Sequence, residues 1–453
     1  MICNNLLNKQ YLISFPKDEN IKELIKKHKG PNEDSFKEFA KLQITINNNS
    51  NEINKDNIFI SAKNWIEFEE KVELLSLSNS SAPLSSKLLE NEKNIIKEEE
   101  PCIVFLFSGQ GAQFNPLIFE LYNSEPIFRE TMDKIDEIMK IYLGFSTIEK
   151  VRQYKDEFDP ELNTNQMITQ SILLISQISI YKLFTEHWGL KPTIVFGHSF
   201  GEIVASYASG MIQDLETLCY VIYNRGKSQQ KTFGTGKGMI WVDLGNEEFQ
   251  EKFCTKFKSV EVCCILSPSN VTIGGDKVEL EQIVEQCKLE SINTKVLSIP
   301  TAFHHSCQDC LYDDMMKLQF KSYPPKADIH HISTVKGTLF NKDFYINKEY
   351  VFENLRDQAR LALGIKNVFQ HIENSNLGRN VCFIEIGPRQ SLLNYIIKQT
   401  PPLNKSENGN NYFKSVKTFA SLTRDKGNEG IHETLIQCFK QGYKNLNFLN
   451  QLN

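Results

Sequence analysis

The 453-residue chain predicts an α/β fold: a larger unit built on a parallel sheet, interrupted by a smaller unit of four strands and two helices. Three observations carry that reading. Two continuous apolar runs, "PCIVFLFSG" and "TIVFG", stop at glycines, as strands covered on both faces of a parallel sheet do. The stretch "NQMITQSILLISQISIYKLF" is apolar nearly all round, which predicts a helix lying in the interior. Between Gly238 and Pro300 the pattern turns to strand, helix, two strands, helix and strand.

Composition narrows the class. With 40% hydrophobic and 24% charged residues, the chain has enough apolar content for two or three structural units. A formal charge of -5 without any recurring basic block argues against a nucleic-acid partner. Charges appear by Lys9 and Lys17, so no secretory signal is expected. No apolar run is expected to reach membrane length, which leaves the cytoplasm as the expected setting. The eleven cysteines are scattered. Their close groups, Cys263 with Cys264 and Cys307 with Cys310, lack a second pair at zinc spacing, so reduced, mostly buried thiols and no metal are expected.

The elements follow in order. Residues 1–100 hold asparagine-rich text ("INNNSNEINKDN"), a strand-like "IFISA" and a serine-rich tract ending in "NEKNIIKEEE"; a small α/β linker module with a mobile tail fits them. At 101 the first apolar run predicts a strand ending in the loop around Gly109, Gln110 and Gly111. Helices follow, and then "TIVFGHSFGEIVAS" reads as strand, sharp turn and helix. Asp214 is placed to cap a further helix that runs through Arg225. The unit 236–302 contributes "MIWVDL", "NEEFQEKFCTKF", "VEVCCILS", "NVTIGGD", "KVELEQIVEQCKLE" and "NTKVLSIP", a βαββαβ order that makes it ferredoxin-like. The chain then returns to the larger unit, reaches another buried strand at "NVCFIEIGP", and ends in a helical tail. A cleft between the two units is the expected place for a small-molecule site.

Chemistry-bearing residues gather around that cleft. Gly197-His198-Ser199-Phe200-Gly201 fits a nucleophile elbow, where glycines flank a serine on a strained strand-to-helix turn, and the following helix N-terminus favours negative charge there. The competing reading is a structural turn whose serine caps the helix. A serine nucleophile needs a base. His198 is its neighbour, but adjacent residues at a sharp turn diverge, so it is read as a packed orienting residue. His304 and His305 follow the last strand of the small unit at the cleft mouth, and either fits the role. His330 and His331 read as surface or strand residues. Arg225 shares an inward helix face with Leu218 and Ile222. A buried guanidinium needs a partner: either a neighbouring acid or the carboxylate of a substrate, which it can grip bidentately.

Four motifs in order, "FSGQGAQ", "GHSFGE", "YNRGK" and "TAFH", resemble the malonyl-CoA:acyl-carrier-protein transacylase family, in particular the acyltransferase domains of polyketide and fatty-acid synthases. The resemblance covers about residues 101–440. Residues before Cys102 resemble the ketosynthase–acyltransferase linker, and "ASLTRDK…CFKQGY" resembles the closing segment of that domain; the ketosynthase itself is absent. The resemblance implies an α/β-hydrolase-like core at 101–235 and 303–400, the ferredoxin-like unit at 236–302, the linker at 1–100 and the closing segment at 401–453.

It also implies roles. Ser199 is the acyl-accepting nucleophile and His304 its base, a dyad whose imidazole is oriented by a backbone carbonyl near the "IEIGP" strand. The Phe200 N–H and Gln110 form the oxyanion hole, such donors being worth about 3–4 kcal/mol each. Arg225 binds the free malonyl carboxylate and Gln170 lines the same pocket. Phe303 and Phe200 leave little room for an α-methyl branch, a discrimination of about 1–3 kcal/mol. The reaction is ping-pong: acyl-CoA, as malonyl-CoA, acylates Ser199, and the phosphopantetheine thiol of an acyl carrier protein takes the group. No bound cofactor or metal is implied, and ketosynthase and other synthase domains are the implied partners. Three departures stand out: Arg389 where histidine is usual after "GP", which would disturb His304; Ser171 where proline is common; and the doubled His304-His305. Two rival functions remain open, an α/β-hydrolase-type esterase or thioesterase and an inactive synthase fragment with a docking role.

Overall fold

In the computed structural model, residues 11–15, 21–30, 35–36, 39–40, 58–62, 64–78, 100–111, 116–154, 159–403, 412–423 and 425–447 are described. At the N-terminal end β1 (Tyr11–Phe15) and β2 (Ile58–Ala62) pair antiparallel, with Tyr11 opposite Ala62. With α1 (Ile21–His28) and α2 (Trp65–Ser78) they enclose Phe15, Phe36, Phe39, Trp65 and Phe68. This is a small α/β module with its own aromatic core; the asparagine-rich stretch 46–57 and residues 79–99 lie outside the described residues.

The larger unit begins with β3 (Cys102–Phe107), every residue of which is buried. Then come α3 (Pro126–Leu143), α4 (Gln166–Lys182), β4 (Ile194–Gly197), α5 (Phe200–Ala208) and α6 (Leu215–Gln229). Helix α4 is buried on almost every side, the packing its all-round apolar pattern predicts. With its continuation to His187 it spans 22 residues, long and apolar enough to cross a membrane. The expectation that no run reaches that length is therefore corrected, although this helix is packed inside the protein. Asp214 caps α6, accepting the Thr217 N–H at 2.6 Å.

The smaller unit holds β5 (Lys237–Val242), a short helix Asn246–Phe249 that runs into a π turn, β6 (Glu261–Ser267), β7 (Asn270–Asp276), α7 (Lys277–Leu289) and β8 (Thr294–Val296). Its sheet has the order β6-β7-β5-β8 with all neighbours antiparallel. Where the chain enters and leaves this unit, the Gly234 N–H donates to Pro300 O at 2.9 Å and the Thr301 hydroxyl donates to that of Thr232 at 2.9 Å. The unit thus hangs from a neck sealed by hydrogen bonds.

The chain returns through β9 (His330–Ile332), α8 (Lys348–Arg356), α9 (Leu361–Asn374), β10 (Asn380–Ile386), α10 (Leu393–Gln399), β11 (Ser415–Ala420) and α11 (Asn428–Lys440). The central sheet runs β11-β10-β3-β4-β9, all parallel. The C-terminal tail is therefore not purely helical: its strand β11 forms one sheet edge. Partial exposure along "SVKTFA" explains why no apolar run announces it. The N-terminal module rests on α11 through Ser61 Oγ to His432 Nδ1 at 2.6 Å, Lys71 to Glu429 at 2.8 Å, and Phe59 against Phe439.

Candidate active site

Close packing builds the turn at the end of β4. A Cβ on Gly197 would meet Glu202 N at 2.2 Å, and one on Gly201 would meet Phe107 O at 2.2 Å, so only glycine lets α5 press against the ends of β4 and β3. Between them Ser199 is held at φ 54°, ψ -117°, a conformation an L-residue adopts only under constraint. Ser199 precedes α5 but caps none of its amides. Its hydroxyl donates to His304 Nε2 at 2.7 Å, so the capping-turn reading is set aside by geometry. In the first turn of α5 the Gly201 and Glu202 N–H groups are taken by His198 O and Ser199 O. That leaves Phe200 as the amide of this turn outside the ladder.

His304 also sits at positive φ, 56°. Its N–H donates to Leu355 O at 3.2 Å, and its Nδ1 lies 2.9 Å from Asp357 O. A carbonyl only accepts, so Nδ1 carries the proton and Nε2 is left as the lone-pair acceptor for the serine hydroxyl. The orienting carbonyl is thus that of Asp357, just past α8, and not one near the "IEIGP" strand. Burial, then the neighbouring His198 and Arg225, push the His304 pKa down to about 3. The nearby His198 is pushed down to about 4 by burial.

The other histidines separate cleanly. His305 donates from Nε2 to Ser259 O at 2.8 Å and accepts the Cys307 N–H on Nδ1 at 2.9 Å, so both its nitrogens serve the backbone. His331 is fully buried on β9 beside Ser209, a strand residue and not a surface one. His330 stacks edge-on against His371.

Arg225 is fully buried together with Leu218 and Ile222. It has no acidic partner among the described residues. Its NH1 donates to Gln229 Oε1 at 3.3 Å, its NH2 to Asn354 Oδ1 at 3.2 Å, and its guanidinium carbon lies 5.6 Å from the centre of the Phe200 ring. Burial pushes its pKa down to about 9. Behind it runs a chain of amides: Gln170 donates to Gln229 at 2.7 Å and to Gln166 at 3.1 Å, and Gln110 donates to Gln166 at 2.5 Å.

A cavity of about 780 Å³ opens between the two units, at the carboxyl ends of the core strands, where ligands of open parallel sheets bind. Gln110, His198, Ser199, Phe303 and His304 line it; Phe200, Arg225 and Gln170 do not, lying in a closed layer behind the serine. Trp241 of the small unit donates to Tyr395 OH of the core across this cavity at 3.2 Å. Arg389 reaches the Gly111 carbonyl at 2.5 Å and leaves His304 to its own partners, so the expected disturbance is absent. Ser171 bonds back to Met167 O at 2.5 Å within α4.

Several further residues support the site. Asn354 donates to the Ser199 carbonyl at 3.0 Å. Gln177 fixes the loop after β3 by donating to Ser108 O at 2.6 Å. Glu385 accepts the Ser391 and Leu392 N–H groups at 2.9 and 3.0 Å and so shapes the loop that follows β10. Buried Glu202 accepts the Thr334 N–H at 2.8 Å, and its pKa is raised by burial.

Known proteins resemble this chain in sequence and fold. The family model for an acyl transferase domain matches residues 104–438. "Probable polyketide synthase 41" of Dictyostelium discoideum is 36% identical over the whole chain, and "Probable polyketide synthase 40" of the same organism is 36% identical over 98% of it. The chain spans 17% of the length of each. Among solved structures, the acyltransferase domain from module 8 of the salinomycin polyketide synthase superposes with a TM-score of 0.72, at 19% identity and 96% coverage of both chains. The malonyl CoA-acyl carrier protein transacylase from Clostridium perfringens superposes with 0.58 at 23% identity, covering 74% of this chain and 96% of its own. An elbow serine bonded to a buried imidazole, in a fold shared with these domains and a sequence alike from end to end, makes this chain a member of the acyl transferase domain family, related to the acyltransferase domains of polyketide synthases.

Proposed function

We propose that the chain moves a malonyl group from coenzyme A to the phosphopantetheine thiol of an acyl carrier protein, through an ester on Ser199. The observation that carries the reading is the 2.7 Å bond from Ser199 to His304 Nε2, with Nδ1 held by the Asp357 carbonyl. Ser199 Oγ attacks the thioester carbonyl while Nε2 takes its proton. The oxyanion is met by the Phe200 N–H and by Gln110. When the tetrahedral adduct collapses, the C–S bond breaks and the thiol of coenzyme A leaves with the proton from His304. In the second half His304 accepts the proton of the carrier thiol, which attacks the ester, and Ser199 recovers its proton. No side-chain carboxylate is needed in this dyad.

Arg225, buried with no acidic partner among the described residues, suits the free malonyl carboxylate, with Gln170 and Gln229 as its amide neighbours. Phe303 in the cavity wall favours a small acyl group. Strand orders support reading the larger unit as α/β-hydrolase-like and the smaller as ferredoxin-like. The sealed neck supports boundaries near 236 and 302 within a core of 101–235 and 303–400. Residues 1–100 are then the ketosynthase–acyltransferase-type linker and 401–453 the closing segment, which also lends β11 to the sheet. Carrier protein, ketosynthase and other synthase domains are the proposed partners, and the ten described cysteines, all free thiols, suit a cytoplasmic setting. The test is to incubate the chain with labelled malonyl-CoA and then with carrier protein. Stable label on Ser199 followed by transfer is expected. Rapid release of free malonate would make it a thioesterase, and no label would make it an inactive docking fragment.

A further inference from the structure

The end of α8 touches the nucleophile, its base and the buried cation at once. Asn354, fully buried, donates from Nδ2 to Ser199 O at 3.0 Å and accepts from Arg225 NH2 on Oδ1 at 3.2 Å. One residue on, the Leu355 carbonyl accepts the His304 N–H at 3.2 Å; two further, the Asp357 carbonyl holds His304 Nδ1 at 2.9 Å. Asn354 itself does not line the cavity.

From this arrangement we infer that Asn354 is a positioning residue that fixes the Arg225 guanidinium relative to the nucleophile, and thereby sets the preference for a carboxylated acyl group. The inference rests on the proposed acylation of Ser199 and the Arg225 carboxylate contact. Its partners define the amide's orientation: a carbonyl oxygen on one side requires the NH₂ there, and a cation on the other requires the oxygen. Neutrality is the decisive property. Aspartate in this place would neutralise the guanidinium from within and set an oxygen against the Ser199 carbonyl. An apolar side chain would strip the Ser199 carbonyl of its side-chain donor, leaving it the Glu202 N–H, and would leave the Arg225 guanidinium held only through Gln229. Asparagine anchors the cation and keeps its charge available. The Gln229 contact at 3.3 Å is likewise neutral, and Arg225 Nε has no partner among the described residues, so donors remain for an incoming carboxylate.

The test compares Asn354→Ala, Asn354→Asp, Arg225→Ala and the Asn354→Ala/Arg225→Ala double variant in the full chain. Acylation rates are measured with malonyl-CoA and with acetyl-CoA, and the fold is checked by thermal melting. Asn354→Ala is expected to lower kcat/KM for malonyl-CoA about 10- to 100-fold while acetyl-CoA loses several-fold less. Asn354→Asp is expected to erase the malonyl preference as fully as Arg225→Ala does. In the Arg225→Ala background, Asn354→Ala is expected to add little to the malonyl loss, because the two act as one unit. Equal losses for both acyl groups, or additive losses in the double variant, would overturn the positioning role while leaving acyl transfer standing. A wild-type chain that takes no label from malonyl-CoA would instead sink the acyltransferase reading, and the Asn354 role with it.

Discussion

Replacing Gly201 by alanine tests how tightly the elbow is built. The new Cβ would lie 2.2 Å from Phe107 O and 2.6 Å from Ser108 O, both backbone atoms. Ordinary contact begins at 3.4 Å, so the start of α5 must retreat by about 1.2 Å, that difference. Phe107 cannot yield instead: it ends the sheet's central strand, pairs with Gly197 and Ile386 on either side, and its carbonyl accepts the His198 N–H at 3.0 Å. Ser199 sits two residues before the strained point, and its 2.7 Å bond to His304 would stretch beyond hydrogen-bonding range. A misplacement of about 1 Å at a reacting group costs on the order of 10²-fold in rate, and overpacking costs about 1–3 kcal/mol of stability. The assay is rapid-quench labelling of Ser199 from malonyl-CoA beside urea unfolding of the same variant. We expect acylation about 100-fold slower and an unfolding free energy lower by about 1–3 kcal/mol. Acylation within about threefold of wild type at an unchanged midpoint would refute the claim that close approach is what requires glycine here.

Four further outcomes follow from the same geometry. His304→Ala should slow acylation by about 10²- to 10⁴-fold, read by the same labelling, and a loss under tenfold would put the base elsewhere. His305→Ala should leave the labelling rate nearly intact but lower stability by about 1–3 kcal/mol in urea, because Ser259 O and the Cys307 N–H lose buried partners. Asp357→Ala should retain the acylation rate, since the backbone carbonyl and not the carboxylate orients His304; a large loss would point to a triad. The pH profile follows from the sign of the His304 shift. The base must be neutral, burial pushes its pKa down to about 3, and so the neutral form persists as pH falls through 6.5, the ordinary histidine value. Acylation measured from about pH 8 to pH 5 should be level, and an acid limb near 6.5 would count against it.

Much of this molecule was readable before its structure. Strands β3, β4 and β10 are covered on both faces, and such strands write themselves as unbroken apolar runs. The small unit alternates periods of two and 3.6 cleanly enough to give its order. Ser199 and His304 stand in motifs, and the inward face of Arg225 follows from its spacing to Leu218 and Ile222. What escaped was of another physical kind. Strands β9 and β11 are sheet edges, short or half exposed, with no apolar run to mark them. That a main-chain carbonyl orients His304 was expected, but its place at Asp357 was not, because a main-chain atom has no residue type to recognise. Asn354 is an ordinary helical asparagine until folding brings it against residues 155 and 129 positions away. Phe200 reads as a pocket wall because it follows the serine, yet the first turn of α5 carries it into the closed layer under Arg225.

The sealed neck of the small unit and the strand order of the large sheet have a consequence for the order of assembly. The four strands of the small unit pair with one another between Lys237 and Val296, with one bridge from Cys264 out to Ala359, so most of its loops close over short stretches of chain and it can form early. The large sheet must join residue 102 to residue 381 and then 380 to 415, which waits on nearly the whole chain. Ser199 and His304 meet only when both are done. Within these residues Ser199 is made well before Leu355 and Asp357, whose carbonyls hold His304, so the proposed nucleophile and base come together only late in the fold.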